Sequence, residues 1–289
     1  MWRSALILVL IFLAPRIRAN TEERTIYRDI EYGQAAGLSL KLDVSMPNAP
    51  GNYPVAVLVH GGGWSSGSKA GSDKPGNGAD ITPWFAAFSA CNVVWFSVDY
   101  RLAPQHPWPE GFEDIQTAIR WVKAHAASYH GDPTRIVLVG HSSGGHFACL
   151  AGTLTDSGTR VQAVVGFAPV TDLEQDSINR GGLSTSLQAL FGLAKELTPQ
   201  ARLILREHSP LQLVSAGLPP VLILHGNGDR TVPIAMSRAF QERMHAAGNT
   251  CDLIELPGAP HGLLTWDKFQ PDYVKLLDDW LKQHLAVQR

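Results

Sequence analysis

Ser142 stands at the centre of Gly140-His141-Ser142-Ser143-Gly144, directly after the apolar run Ile136–Val139 and before the apolar stretch Phe147–Leu154. A strand that turns sharply into a helix needs small residues two before and two after the apex, because the backbones would otherwise collide. The apex serine is then held at a helix N-terminus, where the dipole and free N–H groups favour a developing anion. A serine so placed is a candidate nucleophile for acyl transfer. Upstream, His60-Gly61-Gly62-Gly63-Trp64 follows the apolar run Val55–Val59. Three glycines let backbone N–H groups approach a ligand without interference from Cβ atoms. Such donors stabilise the oxyanion of acyl transfer, and losing one typically costs about 3 kcal/mol. Gly62 and Gly63 are favoured for this role together with the N–H of Ser143, although which glycine amides point inward is open at this level.

Acyl transfer by serine also needs a base and an acid that orients it. Leu224-His225-Gly226-Asn227-Gly228-Asp229 places a carboxylate just past an apolar run, in a Gly/Asn turn, and Pro260-His261-Gly262 lies past the next one. Ser142, Asp229 and His261 thus occur in the chain order that a strand-turn-helix nucleophile requires. His261 would take the serine proton and return it to the leaving group, while Asp229 would fix its tautomer. Asp172 is the rival acid, lying after the run Val161–Phe167. No His-Glu-x-x-His occurs, and His141 and His146 are five apart, a spacing that does not align ligands on a helix. No metal and no cofactor are expected. His60, His141 and His225 adjoin the site loops and are expected to hydrogen-bond locally, with His146 packing on the nucleophile helix.

These residues must be held by strands and helices in alternation. Val55–Val59, Val93–Val98, Ile136–Val139, Val161–Phe167, Val221–Leu224 and Leu253–Leu256 are mostly continuous apolar runs, as strands buried on both faces require. Thr25–Asp43 alternates more and carries Gly33 and Gly37, which predicts an antiparallel pair at the sheet edge. Phe112, Ile115, Ile119, Val122 and Ala126 follow the spacing of one buried helix face. Met236, Phe240 and Met244 mark another helix, and Phe269, Tyr273, Leu276, Leu277, Trp280 and Leu281 the last. The fold class is therefore α/β, a mostly parallel sheet of about eight strands flanked by helices. Residues 174–218 interrupt the alternation, rich in Ser, Leu and Gly and helix-like from Pro199 to Glu207, and are expected to form a small cap.

Arg3, the apolar run Ala5–Ala14 and the small residue Ala19 have the layout of a secretory signal peptide over residues 1–19, leaving 20–289 as one catalytic domain, secreted or periplasmic. The apolar run falls short of the roughly 20 residues of a membrane span. The 289 residues are 45% hydrophobic and 17% charged, which excludes a disordered chain, and a net charge of -2 gives no basis for nucleic-acid binding. Cys91, Cys149 and Cys251 are an odd set, so at least one is free.

Taken together, His60–Trp64, Asp99-Tyr100-Arg101-Leu102-Ala103-Pro104, Gly140–Gly145 and Pro257-Gly258-Ala259-Pro260-His261-Gly262 resemble the α/β-hydrolase superfamily. The branch they most resemble is the bifunctional feruloyl/acetyl-xylan esterase-like group, near the hormone-sensitive-lipase-like esterases. The resemblance covers residues 25–287 and implies hydrolysis of carboxylic esters, with a small-molecule or polysaccharide-linked ester as the partner. Ser143 stands where that group often has Ala, which leaves its N–H intact. The 99–104 segment is expected to brace the oxyanion loop. The implied strand order sets the strands after Cys91 and Cys251 about five positions apart, over ~20 Å, so no disulfide is expected. Trp64, Trp84 and Trp108 could offer aromatic surface to a sugar or aryl group, or could simply pack; Trp64 is the substrate-binding candidate. An amidase such as an arylformamidase would use the same machinery, and a non-catalytic ligand receptor on this fold is the reading from another class.

Overall fold

The computed structural model describes residues 23–71, 79–154 and 156–286. The expected signal segment, residues 1–19, lies outside them. β1 (Arg24–Ala35) and β2 (Leu38–Pro47) form the antiparallel pair, turning at Ala36-Gly37. β3 (Tyr53–Val59), α1 (Thr82–Ala90), β4 (Val94–Val98), α2 (Glu110–His125), β5 (Gly131–His141) and α3 (Ser143–Thr153) follow, and then β6 (Ala163–Phe167). Three short helices come next: α4 (Leu173–Asn179), α5 (Thr185–Phe191) and α6 (Pro199–Glu207). The chain ends through β7 (Val221–Gly226), α7 (Ala235–Ala246), β8 (Cys251–Leu256), α8 (Trp266–Phe269) and α9 (Tyr273–His284).

The strands form one eight-stranded sheet in the order β1-β2-β4-β3-β5-β6-β7-β8, parallel from β4 to β8 and antiparallel at β1 and β2. Strand side chains alternate between faces, and both faces are covered. Val55, Val57, Val59, Ile136 and Leu138 join one core with Ile115 and Ile119 of α2, Phe147 of α3 and Phe240 of α7. Ala56, Leu58, Val137 and Val139 join the opposite core with Trp84 and Phe88 of α1 and Leu277 and Trp280 of α9. This explains the apolar runs of the central strands: every residue of β4, β6 and β7 is buried.

One expectation changes, and one alternative is decided. The last helical pattern is not one helix: Phe269 ends α8, and α9 begins at Tyr273. Pro271 lies between them, and proline disfavours helix in the residue before it and cannot supply a helical N–H. Trp84 is no substrate surface. It is fully buried on α1, packed against Phe88, His141 and Phe167. The three cysteines are buried and free, and β4 and β8 stand five positions apart in the sheet. Among the described residues no helix is long and apolar enough to cross a membrane.

Candidate active site

The loops after β3, β5, β7 and β8 lie at the carboxyl ends of parallel strands, where open α/β sheets gather their ligands. Ser142 occupies the one-residue turn from β5 into α3 with φ 54° and ψ −117°. Such a conformation costs a non-glycine residue about 1–3 kcal/mol and persists only where the surroundings impose it. Here Ser142 N–H donates to Phe167 O at 3.0 Å, and Ser142 O accepts from His146 N at 2.8 Å. The flanking glycines are required by space. A Cβ on Gly140 would lie 2.1 Å from Gly144 O, and one on Gly144 2.3 Å from both Val59 O and His60 O. The elbow therefore packs directly on the end of β3, which carries the glycine loop.

That loop turns through successive positive φ values, 114° at Gly62, 61° at Gly63 and 59° at Trp64. The N–H groups of Gly62, Gly63 and Ser143 donate to no protein acceptor among the described residues, and all three residues line one cavity with Ser142 and His261. The cavity has a volume of about 500 Å³. The 99–104 segment braces the loop as expected. Ala103 N donates to Trp64 O at 2.9 Å, the Tyr100 hydroxyl donates to His60 O at 3.1 Å, and the Tyr100 ring stacks on His60 at 4.3 Å.

Asp229 follows β7 and is fully buried at its side chain. Its Oδ2 accepts from His261 Nδ1 at 2.6 Å, and its Oδ1 from the N–H groups of Thr231 and Val232 at 2.7 and 2.9 Å. His225 Nε2 adds a contact to Oδ2 at 3.3 Å while donating to Val232 O at 3.0 Å, so its Nδ1 accepts from the Ser237 hydroxyl at 2.7 Å. Burial alone would raise the Asp229 carboxyl. The hydrogen bonds from His225 and His261, the electrostatic influence of the His261 ring and the Val232 amide outweigh it and hold Asp229 well below the ordinary carboxylate range. With Asp229 ionised, His261 Nδ1 carries the proton and Nε2 is free to accept one. His141 Nε2 donates to His261 O at 3.0 Å and so anchors the backbone of that residue.

The rival Asp172 is occupied elsewhere, capping α4 by accepting from Gln175 N at 3.0 Å. Trp64 borders the cavity but is only 5% exposed, and its indole N–H is turned onto His146 Nδ1 at 3.3 Å. Trp108 packs against Phe112, Phe147, Phe191 and His208. Sequence reasoning missed the polar residues that line the same cavity as Ser142: Asp176 and Arg180 from α4 and its end, and Ser184, Thr185 and Ser186 at the start of α5. The i, i+4 spacing of Asp176 and Arg180 was a visible signal, but such pairs ordinarily lie on solvated helix faces. Among the described residues no cluster of His, Cys, Asp and Glu could hold a metal ion.

Three histidines around the site are buried and neutral. Burial lowers His60 to about 4, partly offset by the Gly61 carbonyl. Burial, with the nearby His261, lowers His141 to about 3, and burial lowers His146 to about 4. An unfolded histidine titrates near 6.5, so between about 6.5 and 4 the unfolded chain binds more protons than the folded one. Stability therefore rises with pH across that window and is lost as pH falls through it, by up to about 1.4 kcal/mol per pH unit for each histidine. Urea midpoints measured from pH 7.5 to 4.5 should be level above about pH 7 and fall steeply below about 6.5; a level profile throughout would contradict the buried neutral assignment.

Compared with known proteins, residues 42–244 match the family model described as BD-FAE. The chain belongs to the BD-FAE family. It is 34% identical over 229 residues to Esterase LipC of Mycobacterium tuberculosis, covering 75% of this chain and 54% of that protein. It is 26% identical over 277 residues to an acetylxylan esterase of Xylanibacter ruminicola, covering 94% of this chain and 53% of that protein. Among solved structures, Thermogutta terrifontis esterase 2 phosphoramylated by tabun superposes with a TM-score of 0.69 at 28% identity, covering 91% of this chain and 97% of that one. The chain spans about half the length of the curated relatives it matches. Family membership and the eight-stranded sheet agree with the α/β-hydrolase fold expected from the motifs.

Proposed function

We propose that this chain is a serine carboxylesterase that hydrolyses small acyl esters through an acyl-enzyme. The observation that carries the reading is the 2.6 Å bond between His261 and a buried, ionised Asp229, on a cavity that Ser142 and three free N–H groups also line. In this reading His261 Nε2 takes the Ser142 Oγ proton as Oγ attacks the acyl carbonyl. The N–H groups of Gly62, Gly63 and Ser143 receive the oxyanion, and His261 then protonates the departing alcohol. Water, activated by the same histidine, releases the acid. No cofactor or metal is needed for any step.

Acetyl or feruloyl groups on polysaccharide are the substrates we favour, a reading supported by the relative named acetylxylan esterase and by the expected export signal. The enzyme is then secreted or periplasmic, with residues 20–289 as the catalytic domain and 174–218 as its cap. A panel of acetyl, butyryl, octanoyl and feruloyl esters, with acetylated xylan and N-formylkynurenine, tests the assignment. Turnover of the acetyl or feruloyl esters above the formamide supports it. Efficient cleavage of N-formylkynurenine with little ester turnover would favour an amidase, and ligand binding without any cleavage would favour a receptor.

A further inference from the structure

One wall of the cavity is built for charge rather than for an alkyl chain. Arg180 Nε contacts both carboxylate oxygens of Asp176, at 3.0 and 2.9 Å, and its Nη2 donates to Thr231 O at 2.6 Å. Three contacts fix the guanidinium plane, yet its side chain remains 39% exposed while that of Asp176 is 8% exposed. Arg180 and Asp176 both line the cavity, and the Nη1 of Arg180 has no protein acceptor among the described residues. A guanidinium presents only donors, in a fork that matches the two oxygens of a carboxylate, and fixing it beforehand reduces the entropy lost on binding.

The position of the pair assigns it to one side of the reaction. Thr231, which holds Arg180 through its carbonyl, donates its own N–H to Asp229 Oδ1 at 2.7 Å. Arg180 thus stands on the histidine side of the cavity. Ser186 is on the opposite, oxyanion side, since its Oγ is 2.6 Å from where a Cβ on Gly63 would be. In a serine esterase the histidine delivers its proton to the leaving alcohol, so the alcohol moiety occupies the histidine side.

We propose that Arg180, pinned by Asp176 and the Thr231 carbonyl, is a specificity-determining residue that binds a carboxylate carried by the alcohol moiety of the ester. The substrates it selects are acyl esters of hydroxy acids, including acids within a sugar chain. This rests on the esterase reading above. The test compares 3-acetoxybenzoate with its neutral counterpart 3-acetoxybenzamide. The wild type should favour the anionic ester, and Arg180→Met should lower the kcat/KM ratio of anionic to neutral ester by about tenfold or more. Arg180→Lys, which keeps the charge but loses the fork, should give an intermediate ratio.

General loosening of the fold would lower both esters alike and leave the ratio unmoved, so the ratio isolates the charge contact. To keep the test independent of variant folding, 3-hydroxybenzoate should inhibit wild-type hydrolysis of phenyl acetate at least about tenfold more strongly than 3-hydroxybenzamide. Equal inhibition, no wild-type preference, or a ratio unchanged in a folded Arg180→Met protein would overturn the inference. So would a selective loss of acetylated xyloside turnover in that variant, which would make the wall a hydroxyl subsite. Any of these with phenyl acetate still cleaved leaves the esterase reading standing; failure to cleave any ester sinks that reading instead.

Discussion

Ser142→Ala is expected to lower kcat on phenyl acetate by about a millionfold while leaving the melting temperature within a few degrees of wild type. The size follows from how the site divides its labour. On the proposed mechanism, removing the Ser142 hydroxyl removes the covalent route altogether, and His261 and Asp229 then have no serine proton to move. What remains is the oxyanion donors of Gly62, Gly63 and Ser143 and the binding cavity, which in comparable sites retain about a thousandfold to ten-thousandfold over water. Stability should hardly change because the strained φ of 54° and the bonds to Phe167 O and from His146 N are backbone features that alanine keeps. KM should also stay near wild type, since the hydroxyl acts in the transition state more than in binding. Steady-state kinetics with thermal melts of both proteins provide the check. A loss of only about tenfold would mean that some other group attacks the ester.

Gly144→Ala is expected to destabilise the protein by about 3 kcal/mol and to remove most of the activity with it. The added Cβ would lie 2.3 Å from the carbonyl oxygens of Val59 and His60, both backbone atoms with no rotamer to yield. Relief therefore requires α3 to move off the end of β3 by about an ångström. That motion separates Ser142 from the Gly61–Gly63 loop, because α3 begins directly after Ser142 and β3 leads into the loop. A misplacement of about 1 Å can cost about a hundredfold in rate even where folding survives. Glycine at 144 thus serves the fold and the chemistry through one contact. Urea unfolding and phenyl acetate kinetics of the variant check both parts; a protein with wild-type midpoint and rate would show that the elbow is not packed this tightly.

Much of this architecture was legible because burial on both faces writes itself as continuous apolar runs. Val221–Leu224 was visible for that reason and appears within β7, every residue of which is buried, whereas Leu253–Leu256, at the sheet edge in β8, carries Glu255 and is only partly buried. The site motifs were legible because a one-residue elbow tolerates only small neighbours, so glycine at 140 and 144 marked Ser142. What was hidden depends on contacts between distant segments. For Trp84 the sequence left packing and sugar contact both open, and packing holds, because α1 lies against the sheet and its face of Trp84, Ala87 and Phe88 is buried. That i, i+3, i+4 spacing was readable in the sequence, yet the flanking alanines blurred the contrast between faces. His225 was expected to hydrogen-bond locally and does, to Val232 and Ser237 and at 3.3 Å to Asp229, but which partners it takes depends on the turn after β7. Arg180 showed only its i, i+4 spacing to Asp176; its place in the cavity also depends on the Thr231 carbonyl, 51 residues away.

The central claim is that Ser142 is the nucleophile, and covalent capture addresses it most directly. Incubation with a fluorophosphonate, followed by proteolysis and mass mapping, should place one adduct on the peptide containing Ser142, with none formed in Ser142→Ala. An adduct on another residue, with Ser142 unmodified and esterase activity nonetheless lost, would contradict it.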